Sequence, residues 1–108
     1  LRFTLHELQD RYGLPLMVVE NGLGARDQVS ADGCIHDPYR IAYLRDHIRE
    51  MRRAVDEGAN VIGYTAWSPI DSVSASTGQM SKRYGMVRIK KDSYAWYRRC
   101  IESNGEAL

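Results

Sequence analysis

Glu20 is the side chain whose setting in this sequence points most directly to chemistry. It follows the apolar run Leu16-Met17-Val18-Val19, punctuated by Gly13 and Pro15 on one side and by Asn21-Gly22 on the other. A short apolar run with β-branched residues, bounded by turn residues, predicts a fully buried parallel strand. A carboxylate at the carboxyl end of such a strand is either a core-edge residue or the reactive group of a site. In α/β proteins chemistry gathers beyond the carboxyl ends of parallel strands. A second apolar run, Asn60 to Ala66, is followed by Trp67 and Ser68. If the two runs pair as parallel neighbours, Glu20 and the Trp67-Ser68 pair open onto one face. Trp67 is then either a core residue or a flat apolar plate beside the carboxylate.

Other chemistries find less support. No two His or Cys residues have metal-ligand spacing, so no metal site is expected. Cys34 and Cys100 lie far apart and read as two free thiols in a reducing cytoplasm rather than as a disulfide. No Gly-rich loop precedes a helix, which argues against a nucleotide cofactor. A net charge of +1 over 108 residues gives no mandate for nucleic acid or an anionic membrane. Arg45, Arg49 and Arg52 have acidic neighbours and read as the solvated face of a helix, as His6 and His47 read as surface or packing residues. No apolar run spans a bilayer and no basic-then-apolar leader precedes the first helix, so a cytoplasmic protein is expected.

The elements that must hold Glu20 follow from the pattern. Leu1, Leu5, Leu8 and Tyr12 share one helical face, and Gly13 can supply a left-handed cap before Pro15. After the first strand, residues 21 to 37 form a polar loop long enough to be functional. Asp37-Pro38 opens a second helix, with Asp as N-cap and Pro in the first turn. Ile41, Leu44, Ile48, Met51 and Val55 make its apolar face, and Gly58 ends it. The strand at Asn60 to Ala66 completes a βαβ unit. Residues 67 to 83 are again a long polar loop, Tyr84 to Ile89 reads as a short strand, and Asp92 caps a last helix with Tyr94, Tyr97 and Ile101 on one face. The class is α/β, and residues 1–108 form a single unit with no internal boundary. Two or three parallel strands leave unpaired edges, so the chain reads as a slice of a larger fold that pairs with the rest of it or self-associates.

The motifs also carry a resemblance. Val18-Val19-Glu20-Asn21-Gly22 resembles the nucleophile motif of the family 1 glycoside hydrolases. Gly63-Tyr64-Thr65-Ala66-Trp67-Ser68-Pro69-Ile70-Asp71 is similar to the eighth-strand signature of that family, and Ser81-Lys82-Arg83-Tyr84-Gly85 to its tail loop. The helix with Arg40-Ile41, Tyr43-Leu44 and His47-Ile48 fits too, in the family's order and spacing. The resemblance implies the C-terminal quarter of a (β/α)8 TIM barrel, holding the last two barrel strands with their helices. It also implies a retaining glycosidase, in which two carboxylates about 5 to 5.5 Å apart act as nucleophile and acid/base. Glu20 is then the nucleophile. The family's Asn-Glu-Pro acid/base motif does not occur here, so these 108 residues alone are expected to be inactive. No cofactor is implied.

The resemblance further assigns a substrate. Trp67 lies where the family places a tryptophan under the sugar. Members acting on plain glucosides carry a Glu-Trp pair that here becomes Ser74-Ala75, which removes a carboxylate from the sugar's 6-position. Ser76, Lys82 and Tyr84 match the residues with which the 6-phospho-β-glucosidases hold the phosphate. Hydroxyl, ammonium and phenol donate to a dianion that a carboxylate would repel. A small-molecule β-glucoside 6-phosphate is the substrate implied, with His36 a candidate for the leaving-group side. An unphosphorylated β-glucosidase of the same family is the alternative, followed by a non-catalytic module that binds a sugar phosphate or a partner protein.

Overall fold

In a computed structural model, which describes residues 1–74, 76–87, 89 and 91–108, the chain runs α1 (Arg2–Tyr12), β1 (Leu16–Asn21), α2 (Pro38–Asp56), β2 (Val61–Ala66), α3 (Asp92–Glu102). Gly13 ends α1 at φ 62, with its N–H on Gln9 O, as a left-handed cap requires. β1 and β2 pair in parallel as a two-stranded sheet, with Leu16 opposite Val61, Val18 opposite Tyr64 and Asn21 opposite Ala66. Both strands therefore end on the same side of the molecule.

The helices cover one face of this sheet. Leu44 and Ile48 of α2 pack with Met86, Trp96 and Cys100, and Tyr64 and Ala66 of β2 lie against that cluster. A smaller cluster, Leu5, Ala54 and Ala59, takes Leu16 and Val18 of β1. The other face is bare. Met17, Val19 and Ile62 are 50%, 66% and 68% exposed. The strands predicted to be fully buried are only half-buried on one face and exposed on the other, because a strand has two faces and only one is covered here.

Other expectations from the sequence differ from the structure. Tyr84 to Ile89 contains no strand among its described residues; an isolated bridge pairs Arg83, just before it, with Ala25. Asp37 stands at the N-cap of α2 but gives the helix no side-chain cap bond, since its carboxylate is taken by Arg40 and Ser93. Asp92 lies in the first turn of α3, and Lys91 is the N-cap. The buried face of α3 is Ser93, Trp96 and Cys100, while Tyr94 and Ile101 are exposed. On α2, Leu44 and Ile48 are buried as expected, but Val55 is 44% exposed and α1 buries only Leu5. Among the described residues no helix is long and apolar enough to cross a membrane, and Cys34 and Cys100 are both free thiols.

Candidate active site

The parallel pairing brings the residues singled out from sequence to one end of the sheet. Glu20 is the penultimate residue of β1. Trp67 follows the last residue of β2, and its N–H donates to Asn21 O at 2.8 Å, which ties the two strand ends together. Gly22 makes this approach possible, because a Cβ there would lie 2.7 Å from Trp67 O. Asn21 is fixed by its side chain as well. The Tyr64 hydroxyl donates to Asn21 Oδ1 at 2.7 Å, and Asn21 Nδ2 reaches the Tyr43 hydroxyl at 3.5 Å. Burial pushes the Tyr64 phenol well up, so it stays protonated and remains a donor.

A cavity of about 350 Å³ opens at this end. Glu20, Asn21, Gly22 and Trp67 line it from the strand ends, Tyr43 from α2, and Ser74, Ser76 and Tyr84 from the loop after β2. Trp67 is 37% exposed, which leaves part of its ring free as a surface. Ser74 is buried with its hydroxyl 3.4 Å from that of Ser76, in a turn closed by Gly78 N–H on Ser74 O at 2.8 Å. The Tyr84 ring lies on Gly24, where a Cβ would come 2.7 Å from Tyr84 Cε2. Lys82 does not wall the cavity. Its ammonium stands over the Tyr84 ring, 5.7 Å from the centroid, and draws that phenol below its ordinary range with help from Ser74. Ala75 lies outside the described residues. His36 is not part of the cavity wall; it is held on the surface between Asp92 at 2.9 Å and Asp32 at 3.1 Å.

A carboxylate, a flat aromatic plate and the hydroxyl-bearing side chains of Tyr43, Ser74, Ser76 and Tyr84 around one cavity suit a polar ring-shaped ligand. The carboxylate can attack or stabilise a cationic carbon, and the hydroxyls with the nearby ammonium can donate to an anion. A larger cavity of about 510 Å³ runs along the open edge of β2, walled mainly by apolar residues such as Met51, Val55, Ile62 and Ile101. It holds none of the residues singled out for chemistry. No group of three or more His, Cys, Asp or Glu fit to hold a metal occurs among the described residues.

Behind the cavity lies a buried ionic network that the sequence reading missed. Lys91 Nζ donates to Asp27 Oδ2 at 2.6 Å, Asp71 Oδ1 at 3.0 Å and Gly85 O at 2.5 Å. Arg40 reaches Asp27 Oδ1 at 2.9 Å, Arg83 O at 3.1 Å and the Asp37 carboxylate. All five charged side chains are at most 1% exposed. Burial alone would raise the Asp27 carboxyl, but the bonds from Lys91, Tyr39 and Arg40 outweigh it and hold the group below its usual range. Burial, with the hydrogen bond to the same carboxylate, pushes the Tyr39 phenol up to about 12. One signal was present in the sequence: Arg40 falls in phase with Leu44 and Ile48 on the apolar face of α2.

The model of Glycosyl hydrolase family 1 matches residues 1–106. The chain is 54% identical to the aryl-phospho-β-D-glucosidase BglH of Bacillus subtilis and 51% identical to the 6-phospho-β-glucosidase AscB of Escherichia coli, each match covering all of this chain and 26% of the relative. A bifunctional β-D-glucosidase/β-D-fucosidase of Bifidobacterium breve is 45% identical over 91% of this chain. Among solved structures, the β-glucosidase of Thermotoga maritima in complex with glucoimidazole superposes with a TM-score of 0.90 at 36% identity, over 96% of this chain and 26% of that one. The chain thus spans about a quarter of the length of the curated relatives that it matches.

Proposed function

Because the chain belongs to glycosyl hydrolase family 1 and has the fold of a quarter-length segment of its (β/α)8 barrel, we propose that it carries the nucleophile and the phosphate grip of a retaining 6-phospho-β-glucosidase. The observation that carries this reading is that Glu20 shares one cavity with Ser74, Ser76 and Tyr84, while Lys82 stands over Tyr84. The curated relatives at 54% and 51% identity, an aryl-phospho-β-D-glucosidase and a 6-phospho-β-glucosidase by name, support it.

In the proposed reaction Glu20 attacks the anomeric carbon, and a second carboxylic acid, from the rest of the barrel, protonates the leaving oxygen. Trp67 offers its exposed ring to the C–H face of the sugar. The hydroxyls of Ser74, Ser76 and Tyr84 and the Lys82 ammonium donate to the 6-phosphate, and the absence of a carboxylate at Ser74 avoids repelling it. Water then attacks the glycosyl-enzyme and releases glucose 6-phosphate or a near relative. The partner of these 108 residues is the remainder of the barrel, against which they act as one unit. The free thiols of Cys34 and Cys100 fit a reducing, cytoplasmic setting.

The test is a complete barrel carrying these residues, made by substituting them for the matching quarter of the Bacillus subtilis relative. Hydrolysis of an aryl 6-phospho-β-glucoside well above that of the plain glucoside is expected. Hydrogen bonds to a charged group contribute on the order of 1.5 to 3 kcal/mol each, so Lys82→Ala is expected to lower kcat/KM for the phosphorylated substrate by roughly ten- to a hundredfold and to leave the plain one nearly unchanged. Equal slowing of both substrates would overturn the phosphate assignment, and preference for the plain glucoside would favour the unphosphorylated reading.

A further inference from the structure

Tyr84 is the one described residue between 77 and 91 that walls the cavity, and the backbone on both sides of it is pinned. Before it, Arg83 exchanges both backbone hydrogen bonds with Ala25, at 2.8 and 2.9 Å, and its carbonyl also accepts from Arg40 at 3.1 Å. After it, Gly85 donates its N–H to Asp71 Oδ1 at 3.0 Å and accepts from Lys91 Nζ at 2.5 Å. The Lys91 ammonium has three donors, and its three partners are the Gly85 carbonyl, Asp71 and Asp27. Through Asp27 it is joined to Arg40, hence to the Arg83 carbonyl and to the start of α2. One buried cation thereby ties the loop after β1, the loop after β2 and the start of α3 around a single tyrosine.

We infer that Lys91 is a positioning residue of the site: through Gly85, Asp71 and Asp27 it fixes Tyr84 against the cavity and so sets the preference for a 6-phosphorylated sugar. This rests on the reading that Tyr84 donates to the phosphate. Among the described residues, Asp27, Asp37 and Asp71 pair in this network with Arg40 and Lys91. Without the Lys91 cation the buried Asp71 carboxylate keeps only the Gly85 N–H, and Asp27 keeps Arg40, which it shares with Asp37. The backbone at Gly85, which loses its donor, then yields, and Tyr84 moves with it. A hydrogen bond to a dianion depends steeply on donor distance and angle, so a small shift of the phenol is felt in phosphate binding before it is felt at the anomeric carbon. A lysine that served only stability would affect all substrates alike.

The experiment uses the complete grafted barrel. Lys91→Met keeps the aliphatic stem and removes the charge. It is expected to lower kcat/KM for the aryl 6-phospho-β-glucoside by about tenfold, mostly through KM, while kcat/KM for the plain glucoside changes less than about twofold. Tyr84→Phe is expected to erase part of the same preference, and Lys91→Met added to Tyr84→Phe to lower it no further, as for two residues acting through one contact. Equal loss on both substrates, or losses that multiply, overturns the inference. If Lys91→Met does not fold, Lys91→Met combined with Asp71→Asn removes a buried negative charge with the cation and is held to the same outcomes. Amide exchange at Arg83 and Gly85 separates this idea from the one it rests on. Faster exchange in Lys91→Met supports the clamp, and unchanged exchange overturns it. Faster exchange together with a Tyr84→Phe variant that keeps its full phosphate preference overturns the role of Tyr84 at the phosphate, and with it the effect of the clamp on specificity.

Discussion

At the scale of residues, close approach decides as much as charge. Gly24 carries no chemistry, yet the Tyr84 ring rests where its side chain would be. Gly24→Ala in the complete barrel is expected to push the phenol off its seat and to cost about tenfold in kcat/KM on the phosphorylated substrate, with less effect on the plain one. Steady-state kinetics on the substrate pair checks this, and an unchanged ratio would mean that Tyr84 is not held by Gly24. Glu20, Trp67, Ser74, Ser76 and Tyr84 could be singled out from the sequence, because a carboxylate at a strand end, an aromatic after the next strand and a motif spacing are local signals. The structure gathers those five around one cavity and leaves Lys82 behind Tyr84. Lys91, Asp27 and Asp71 were not legible. Their partners lie 20 and 64 positions apart, and a lone Lys before a helix is ordinarily a surface residue.

At the scale of elements, apolar spacing gave the three helices and the two parallel strands at nearly their observed bounds. What it misjudged was the strand expected at Tyr84 to Ile89 and which faces are covered. Val55, Tyr94 and Ile101 continue the apolar periodicity of their helices yet stand exposed. Asp37 looked like a cap because its type and position fit, but a buried guanidinium and Ser93 outcompete the helix N–H groups for its oxygens. The loop after β1 is also fastened to the start of α3 by His36, which sits between Asp92 and Asp32 on the surface. Hydrogen bonds to these two carboxylates, Asp92 first, raise the His36 pKa above its ordinary 6.5. A group whose pKa is raised on folding stabilises the fold below its unfolded value and loses that contribution as pH rises through the folded one. The docking of this loop is therefore expected to weaken from about pH 6.5 upward, modestly, since the ring is 52% exposed and its pairs are screened. Amide exchange in residues 28–36 measured across that range checks it. A His36→Gln variant is expected to flatten the profile, and an unchanged slope would show that His36 does not fasten the loop.

At the scale of the whole molecule, the chain is a slab of 48 × 32 × 17 Å with a radius of gyration of 15.2 Å, against about 13 Å for an ordinary domain of this length. Its two-stranded sheet has one bare face and two open edges, and an isolated sheet of two strands is marginal in water. The 108 residues by themselves are expected to self-associate or to unfold readily, and, on the proposed mechanism, to hydrolyse no glucoside without the second carboxylic acid. Light scattering that shows a stable monomer, or turnover by the isolated chain, would contradict this. Such a slice was foreseeable from too few strands to close a sheet, whereas the convergence of two distant loops on one cavity was not, because it depends on contacts between residues some fifty positions apart. The most direct measurement is mass mapping of the complete grafted barrel after incubation with a 2-fluoro aryl glucoside 6-phosphate, which traps the glycosyl-enzyme of a retaining glycosidase. A single adduct on Glu20, formed faster than with the unphosphorylated reagent, is the expected result. An adduct on any other residue, or faster labelling without the phosphate, would contradict it.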